Sequence, residues 1–165
     1  FINRVFVLTH KYFEGAVPEH NGLKDIDIQI LKKTYEYPEL LSQSLDDFKF
    51  RQAINQLIDL SRLGNKYLAD EEPWKLYKLG KLERVKQIMF VSLQICGMLA
   101  ILSHPFLPNA SKKIKKIINL DYNKWTDLDI KNPILKSSKK INKPELIFRK
   151  IEDEEIETQM KKLKS

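Results

Sequence analysis

One cysteine among 165 residues rules out an internal disulfide. That residue, Cys96, lies in an apolar run where a thiol behaves as a small hydrophobe, and its solitude fits a reducing cytoplasm. Five glycines are too few for a loop-rich β architecture. His10, His20 and His104 fall in unrelated segments with no metal-ligand spacing and no cysteine pair beside them, which argues against a metal site. No glycine-rich phosphate loop and no nucleophile elbow occurs. The longest apolar run, Ile88 to Leu102, is broken by Ser92, Gln94 and Gly97 and falls short of the roughly 20 residues a bilayer span needs. It reads as a buried helix. The chain opens at Phe1 with neither a methionine nor a charged signal region, as expected of a piece excised from a longer protein.

What is present suits one soluble domain with a single core, 42% hydrophobic and 31% charged. The net charge of +7 is unevenly placed. Residues 1 to 80 carry 11 bases and 12 acids, whereas residues 81 to 150 carry 15 bases and 5 acids. A basic second half favours a polyanionic partner through phosphate neutralisation, although a lysine-rich solvated face is the commoner cause of a moderate excess.

Periodicity lays out helices in order. Ile2, Val5, Phe6, Thr9, Tyr12 and Phe13 mark one face of a first helix ending at Gly15, with Arg4 off that face. An acidic turn at Asp25 opens a second helix bearing Ile26, Ile30, Leu31, Tyr35, Leu40 and Leu41, and Pro38 is expected to kink it or split it in two. Ser44 or Asp46 can cap a third, whose inner stripe reads Phe50, Ala53, Ile54, Leu57, Ile58, Ser61, Asn65 and Leu68. A fourth, from Lys81 to Leu102, is apolar all round and belongs in the middle of a bundle. There Gly97 is expected to admit a closely packed neighbouring helix. Pro108 can open a fifth, with Ile114, Ile117 and Ile118 inward and Lys112, Lys113, Lys115 and Lys116 around the rest, read as a solvated face. The spacing therefore predicts an all-α bundle of about five helices over residues 1 to 120. An irregular extension with Trp125, Ile130, Pro133, Ile134 and Leu135 would come next, and then a flexible basic loop at Lys136 to Lys140. A last helix with a stripe of Ile156, Met160 and Leu163 completes residues 121 to 165.

The stretch with most chemistry lies between the third and fourth helices. Glu71, Glu72 and Pro73 stop a helix, and Trp74 is presented at once. Proline fixes its own φ and biases Glu72 away from αR, so the indole is carried on a stiff corner. Such a ring can stack an unpaired base for about 1 to 3 kcal/mol, or it can plug the gap between two helices. Asn65, a polar amide on an apolar stripe, is expected to find partners that tie this corner down.

Asn65-Lys66-Tyr67 with Glu72-Pro73-Trp74-Lys75 resembles the anticodon-binding domain of methionyl-tRNA synthetases, class I aminoacyl-tRNA ligases. Three further blocks agree in order: Phe1-Ile2-Asn3-Arg4, His10-Lys11-Tyr12-Phe13-Glu14-Gly15, and Gln94 to Leu102 running into Pro105-Phe106-Leu107-Pro108-Asn109-Ala110. The likeness covers Phe1 to about Leu120 and returns weakly at Leu146 to Lys150. It implies recognition of the CAU anticodon of elongator and initiator methionine tRNA. Trp74 would stack on the first anticodon base, Pro73 would aim it, Arg4 would supply charge and hydrogen bonds, and Asn65 would support the corner. The family's asparagine four residues before this arginine would fall just ahead of Phe1. The resemblance also implies a parent enzyme that uses ATP and Mg²⁺ to join methionine to tRNA, and a C-terminal stretch that returns to its catalytic domain. Neither His-Ile-Gly-His nor Lys-Met-Ser-Lys-Ser occurs, so this chain alone should not activate methionine. Lys136-Ser137-Ser138-Lys139-Lys140 is only superficially like the second motif, lacking its methionine and lying beyond the anticodon region. Two other readings of the residues stay open: the anticodon domain of another class I synthetase, and a helical protein-interaction module.

Overall fold

A computed structural model describes residues 1–121, 132–149 and 151–164, so Trp125, Ile130 and Lys150 lie outside the described residues. Seven helices are found among them: α1 Ile2–Phe13, α2 Asp25–Asp46, α3 Phe50–Glu71, α4 Pro73–Lys78, α5 Leu82–Leu102, α6 Pro108–Ile117 and α7 Asp153–Lys164. Within those residues the one strand-like feature is an isolated antiparallel bridge between Ala16 and Lys140. The fold is all-α, with the five expected helices of the bundle joined by the short α4.

Every residue from Gln87 to Leu102 is buried, and α5 packs on α1, α2, α3, α4 and α6. With 21 residues and a mean hydropathy of 1.8, α5 is long and apolar enough to cross a membrane, yet 94% of that window is enclosed by the protein itself. Burial pushes the Cys96 thiol well above its usual range. The inner faces of α1 and α6 match their periodicity, with Val5, Phe6 and Thr9 buried on one and Ala110, Ile114 and Ile117 on the other. Pro108 stands at the start of α6, where a missing N–H costs nothing.

Four expectations are corrected. First, α2 is one helix through Pro38 rather than two. The proline deprives the Thr34 carbonyl of its helical donor, but Ile30, Thr34, Leu41 and Ser44 are buried on both sides of it, and that packing outweighs one lost hydrogen bond. Second, neither Ser44 nor Asp46 caps α3. The N-cap is Lys49 without a side-chain bond, and Ser44 is buried inside α2. Third, what stands nearest Gly97 is not a helix but Ile134 of the extension. A Cβ built there would stand 2.7 Å from Ile134 Cγ2, so the glycine admits the extension. Fourth, the basic run at 136–140 is paired with the chain after α1. Val17 N–H donates to the Lys139 carbonyl at 2.8 Å, Ser138 N–H to the Val17 carbonyl at 2.8 Å, and Ile141 N–H to the Gly15 carbonyl at 2.7 Å.

Among the described residues, the side chain of Gln94 fastens the extension to α5. Gln94 Nε2 donates to the Leu135 carbonyl at 2.9 Å, and Leu135 N–H donates to Gln94 Oε1 at 3.0 Å, so a buried amide serves both backbone groups of one residue. Ile134 and Leu135 are buried beside it. Beyond the extension, Arg149 grips Glu155 with two bonds at the start of α7, whose Ile156, Met160 and Leu163 are exposed.

Replacing Gly97 by alanine sets two effects against each other. Helix propensity favours alanine by about 1 kcal/mol, whereas overpacking costs about 1 to 3 kcal/mol. With Ile134 Cβ at 3.3 Å as well, the clash dominates. Urea unfolding should show Gly97→Ala to be destabilised in the wild type and to cost less when introduced into an Ile134→Ala background. A stabilised single variant would mean that the extension does not press on α5.

Candidate nucleic-acid interface

The corner after α3 is set by charges buried beneath it. Asp27, in the first turn of α2, has no exposed side-chain surface, and Arg84 on α5 is 10% exposed. Arg84 Nη1 and Nη2 donate to the two Asp27 oxygens at 2.5 and 2.9 Å, a bidentate pair. Nε and Nη2 of the same guanidinium reach Glu71 Oε2 at 3.1 and 2.8 Å. The Tyr67 hydroxyl donates to Asp27 Oδ1 at 2.6 Å, Lys24 N–H donates to Oδ2 at 3.0 Å, and Nη1 also donates to Gln87 Oε1 at 3.0 Å. Gln87 passes its own N–H to the Gly22 carbonyl at 3.0 Å. Burial pushes the Asp27 carboxyl up, but Arg84, Tyr67 and the Lys24 amide together hold it below the usual carboxylate range. Burial and the bond to Asp27 drive the Tyr67 phenol far above its ordinary value, so it stays a donor. The start of α2, the end of α3 and the start of α5 are thereby locked at one point.

Glu71 is the last residue of α3, and the lock therefore fixes the direction in which the chain leaves that helix. Glu72 caps α3 and opens α4 in the left-handed conformation, φ 43° and ψ 58°, which costs a side-chain-bearing residue about 1 to 2 kcal/mol. Its N–H donates to the Leu68 carbonyl, and its own carbonyl accepts from Lys75 N–H at 2.9 Å and Leu76 N–H at 3.2 Å. Lys75 Nζ meets its carboxylate at 2.7 Å. Pro73 is buried at the first position of α4, and Trp74 next to it is half-buried, packed against the core. The stiff corner is present, and its ring is not wholly enclosed.

Helix α1 lies against this corner. Arg4, exposed, sets its guanidinium carbon 5.9 Å from the Trp74 ring centroid, within cation–π range. Two turns on, Tyr12 stacks on Tyr77 with centroids 4.0 Å apart and planes 14° apart, and Lys11 Nζ stands 5.9 Å from the Tyr12 centroid. Phe1 presses its ring over Gly64 of α3, where a Cβ would come within 2.6 Å. Three of the four residues singled out in the sequence, Arg4, Pro73 and Trp74, are thus brought together.

Asn65 is not tied into the corner. It is exposed, two turns before Glu72, because the buried stripe of α3 is Ala53, Leu57, Leu60, Gly64, Tyr67 and Leu68. The stripe read from the sequence was rotated by one residue, which left Phe50, Ile54 and Ile58 exposed and moved Asn65 to the solvent face. The corner is held instead by Asp27, Tyr67, Glu71 and Arg84. Gly64 with Tyr67 and Glu71, spaced three and four apart, is the pattern that would have found the true face.

Comparison with known proteins bears on this geometry. Residues 17–165 match the family model described as the anticodon binding domain of methionyl tRNA ligase. The chain is 46% identical to the methionine–tRNA ligase of Christiangramia forsetii across its whole length, and 46% identical to that of Bacteroides fragilis over 99% of it. It spans only 25% and 24% of those proteins. In structure it resembles Mycobacterium tuberculosis methionyl-tRNA synthetase, with a TM-score of 0.84 over 92% of this chain and 31% of that one at 19% identity, a likeness of fold.

The lock makes a prediction about acid. A carboxylate whose folded pKa is depressed contributes stability that is present above its unfolded pKa, near 4, and lost as pH falls through the lower folded value. Urea unfolding should show stability declining from about pH 5 downward. Asp27→Asn should be weaker at pH 7 by about 3 to 5 kcal/mol, because Arg84 keeps its charge in a buried site. Its curve should also be flatter in acid, and equal acid slopes in the two proteins would contradict the assignment.

Proposed function

The chain belongs to the family of anticodon-binding domains of methionyl tRNA ligase, and from that premise we propose that it recognises the CAU anticodon of methionine tRNA, elongator and initiator. The observation that carries this reading is the half-open Trp74 ring on a locked bend with the Arg4 guanidinium beside it. A base splayed from the anticodon loop stacks on the free part of the indole. Pro73 sets the ring's direction, and Arg4 offers five N–H donors to the base edge or a neighbouring phosphate. Asn65, being exposed, is free to meet the same loop from α3.

The relatives are methionine–tRNA ligases of which the chain covers 25% or less in the two compared above. The chain is one part of a longer cytoplasmic enzyme that charges methionine tRNA with methionine using ATP and Mg²⁺. Adenylation is the work of residues outside this chain, which holds neither adenylation motif. The role left to the bundle is specificity: anticodon contacts select which tRNA is held while a distant centre acts. The exposed stripe of α7 is the surface we assign to the catalytic domain.

Stacking is separable from core filling by two substitutions. Trp74→Leu keeps apolar bulk and removes the π face, whereas Trp74→Ala removes both. Both should retain helical circular dichroism and bind a CAU stem-loop more weakly by over about 1 kcal/mol. Wild-type affinity for Trp74→Leu would identify the ring as a plug alone.

A further inference from the structure

Helices α3 and α4 meet at a single residue. Glu71 ends the one and Pro73 begins the other, so the angle between them, and with it the direction in which Trp74 is carried, is set by the two torsions of Glu72. Its φ of 43° is the smallest among the non-glycine residues at positive φ in the described chain, the others being Glu14, Phe48, Asn119 and Ser138 at 51° to 65°. It falls short of the left-handed well, which is centred at about 57°. Among these five, Glu72 is the one with a helix directly on each side.

Pro73 disfavours the right-handed helical region for the residue before it, which leaves Glu72 the extended and the left-handed basins. Main-chain bonds select the second. Glu72 N–H closes α3 on the Leu68 carbonyl at 3.2 Å, and its carbonyl accepts from Lys75 N–H and Leu76 N–H of α4 at 2.9 and 3.2 Å. A glycine would make the same three bonds without the Cβ strain, and glycine is the usual choice at such a position. The distinct contribution of the glutamate is restriction, because a side chain narrows the left-handed basin and excludes the mirror-image extended region that glycine enters freely. Its carboxylate adds one exposed contact, to Lys75 Nζ at 2.7 Å, of a kind that contributes little stability.

We propose that Glu72 is a positioning residue for anticodon binding, a one-residue joint whose strain excludes every setting of α4 but the one that presents Trp74. The inference rests on the reading of Trp74 as a stacking ring and adds to it the residue that fixes the angle of its helix. Glu72 acts through the indole and meets no base itself. A joint with one setting leaves the ring little freedom to lose on binding, which preserves affinity. Stability and recognition are therefore opposed here: the residue that would relax the backbone is the one that would loosen the ring.

The test uses the full-length protein with methionine tRNA and the same tRNA carrying an altered anticodon. Glu72→Gly should bind methionine tRNA about two- to tenfold more weakly, the range that ordering one side chain on contact entails, and should bind the altered tRNA as the wild type does, so that discrimination shrinks by the same factor. Hydrogen exchange of the α3 and α5 amides should stay as slow as in the wild type or become slower, because the fold has lost strain and no packing. Glu72→Asn keeps a side chain of the type most tolerant of left-handed backbone, and it should retain wild-type affinity and discrimination. Wild-type discrimination in Glu72→Gly would overturn the joint, and so would equal losses in Glu72→Gly and Glu72→Asn, which would assign the effect to the carboxylate. Faster exchange along α3 in Glu72→Gly would mark a merely structural role and overturn it too. Should Trp74→Leu bind both tRNAs as the wild type does, the reading of the corner itself would fall and the joint with it; a loss in Trp74→Leu with none in Glu72→Gly would remove the joint alone.

Discussion

The bidentate pair between Asp27 and Arg84 is the contact on which the geometry of this protein depends. A buried pair of this kind adds little net stability, since removing two charges from water costs nearly as much as their attraction returns. Its value lies in direction. Asp27 has one position at which both oxygens meet the guanidinium fork, and Tyr67 and the Lys24 amide fill its remaining lone pairs. Any slip of α2, α3 or α5 leaves a buried charge unmatched. Apolar packing around α5 tolerates small rotations, and the polar lock does not.

The aromatic corner inherits that rigidity. A left-handed Glu72 persists only where the surroundings over-determine it, and here both of its sides are fixed, by Glu71 on Arg84 and by Pro73 at the start of α4. The indole is ordered before any ligand arrives, which lowers the entropy lost on contact. Stacking of Tyr12 on Tyr77 and the approach of Arg4 to Trp74 align α1 with this corner. The residues proposed to meet the anticodon and those that support them are therefore different, half-open ones above and buried ones beneath.

Much of this was legible in the sequence. The periodicity of α1, α5 and α6, the stop at Pro73 and the placement of Trp74 on a bend all come from local rules, because each depends on residues near in the chain. What escaped depends on distant partners. On α3, the apolar Phe50, Ile54 and Ile58 outweighed Gly64 and Tyr67, whose importance comes from Phe1 and Asp27. Asn65 was drawn inward by the same error of phase. Pro38 looked like a break because the burial that carries α2 through it lies on other helices. The lysine-rich run at 136–140 resembled a free loop because its partners at 15–17 are over a hundred residues earlier. Charged residues such as Asp27 and Arg84 gave no signal of burial until they were seen together.

The hold of Gln94 on Leu135 has its own consequence for how the chain can change. Both hydrogen bonds of Gln94 go to the main chain of that residue, so they read position and ignore identity. Substitutions at Leu135 that still fill its pocket leave the grip intact, while an insertion or deletion between Leu135 and the Ala16–Lys140 bridge would throw one anchor or the other out of step. Length, rather than spelling, is what this short crossing has to preserve.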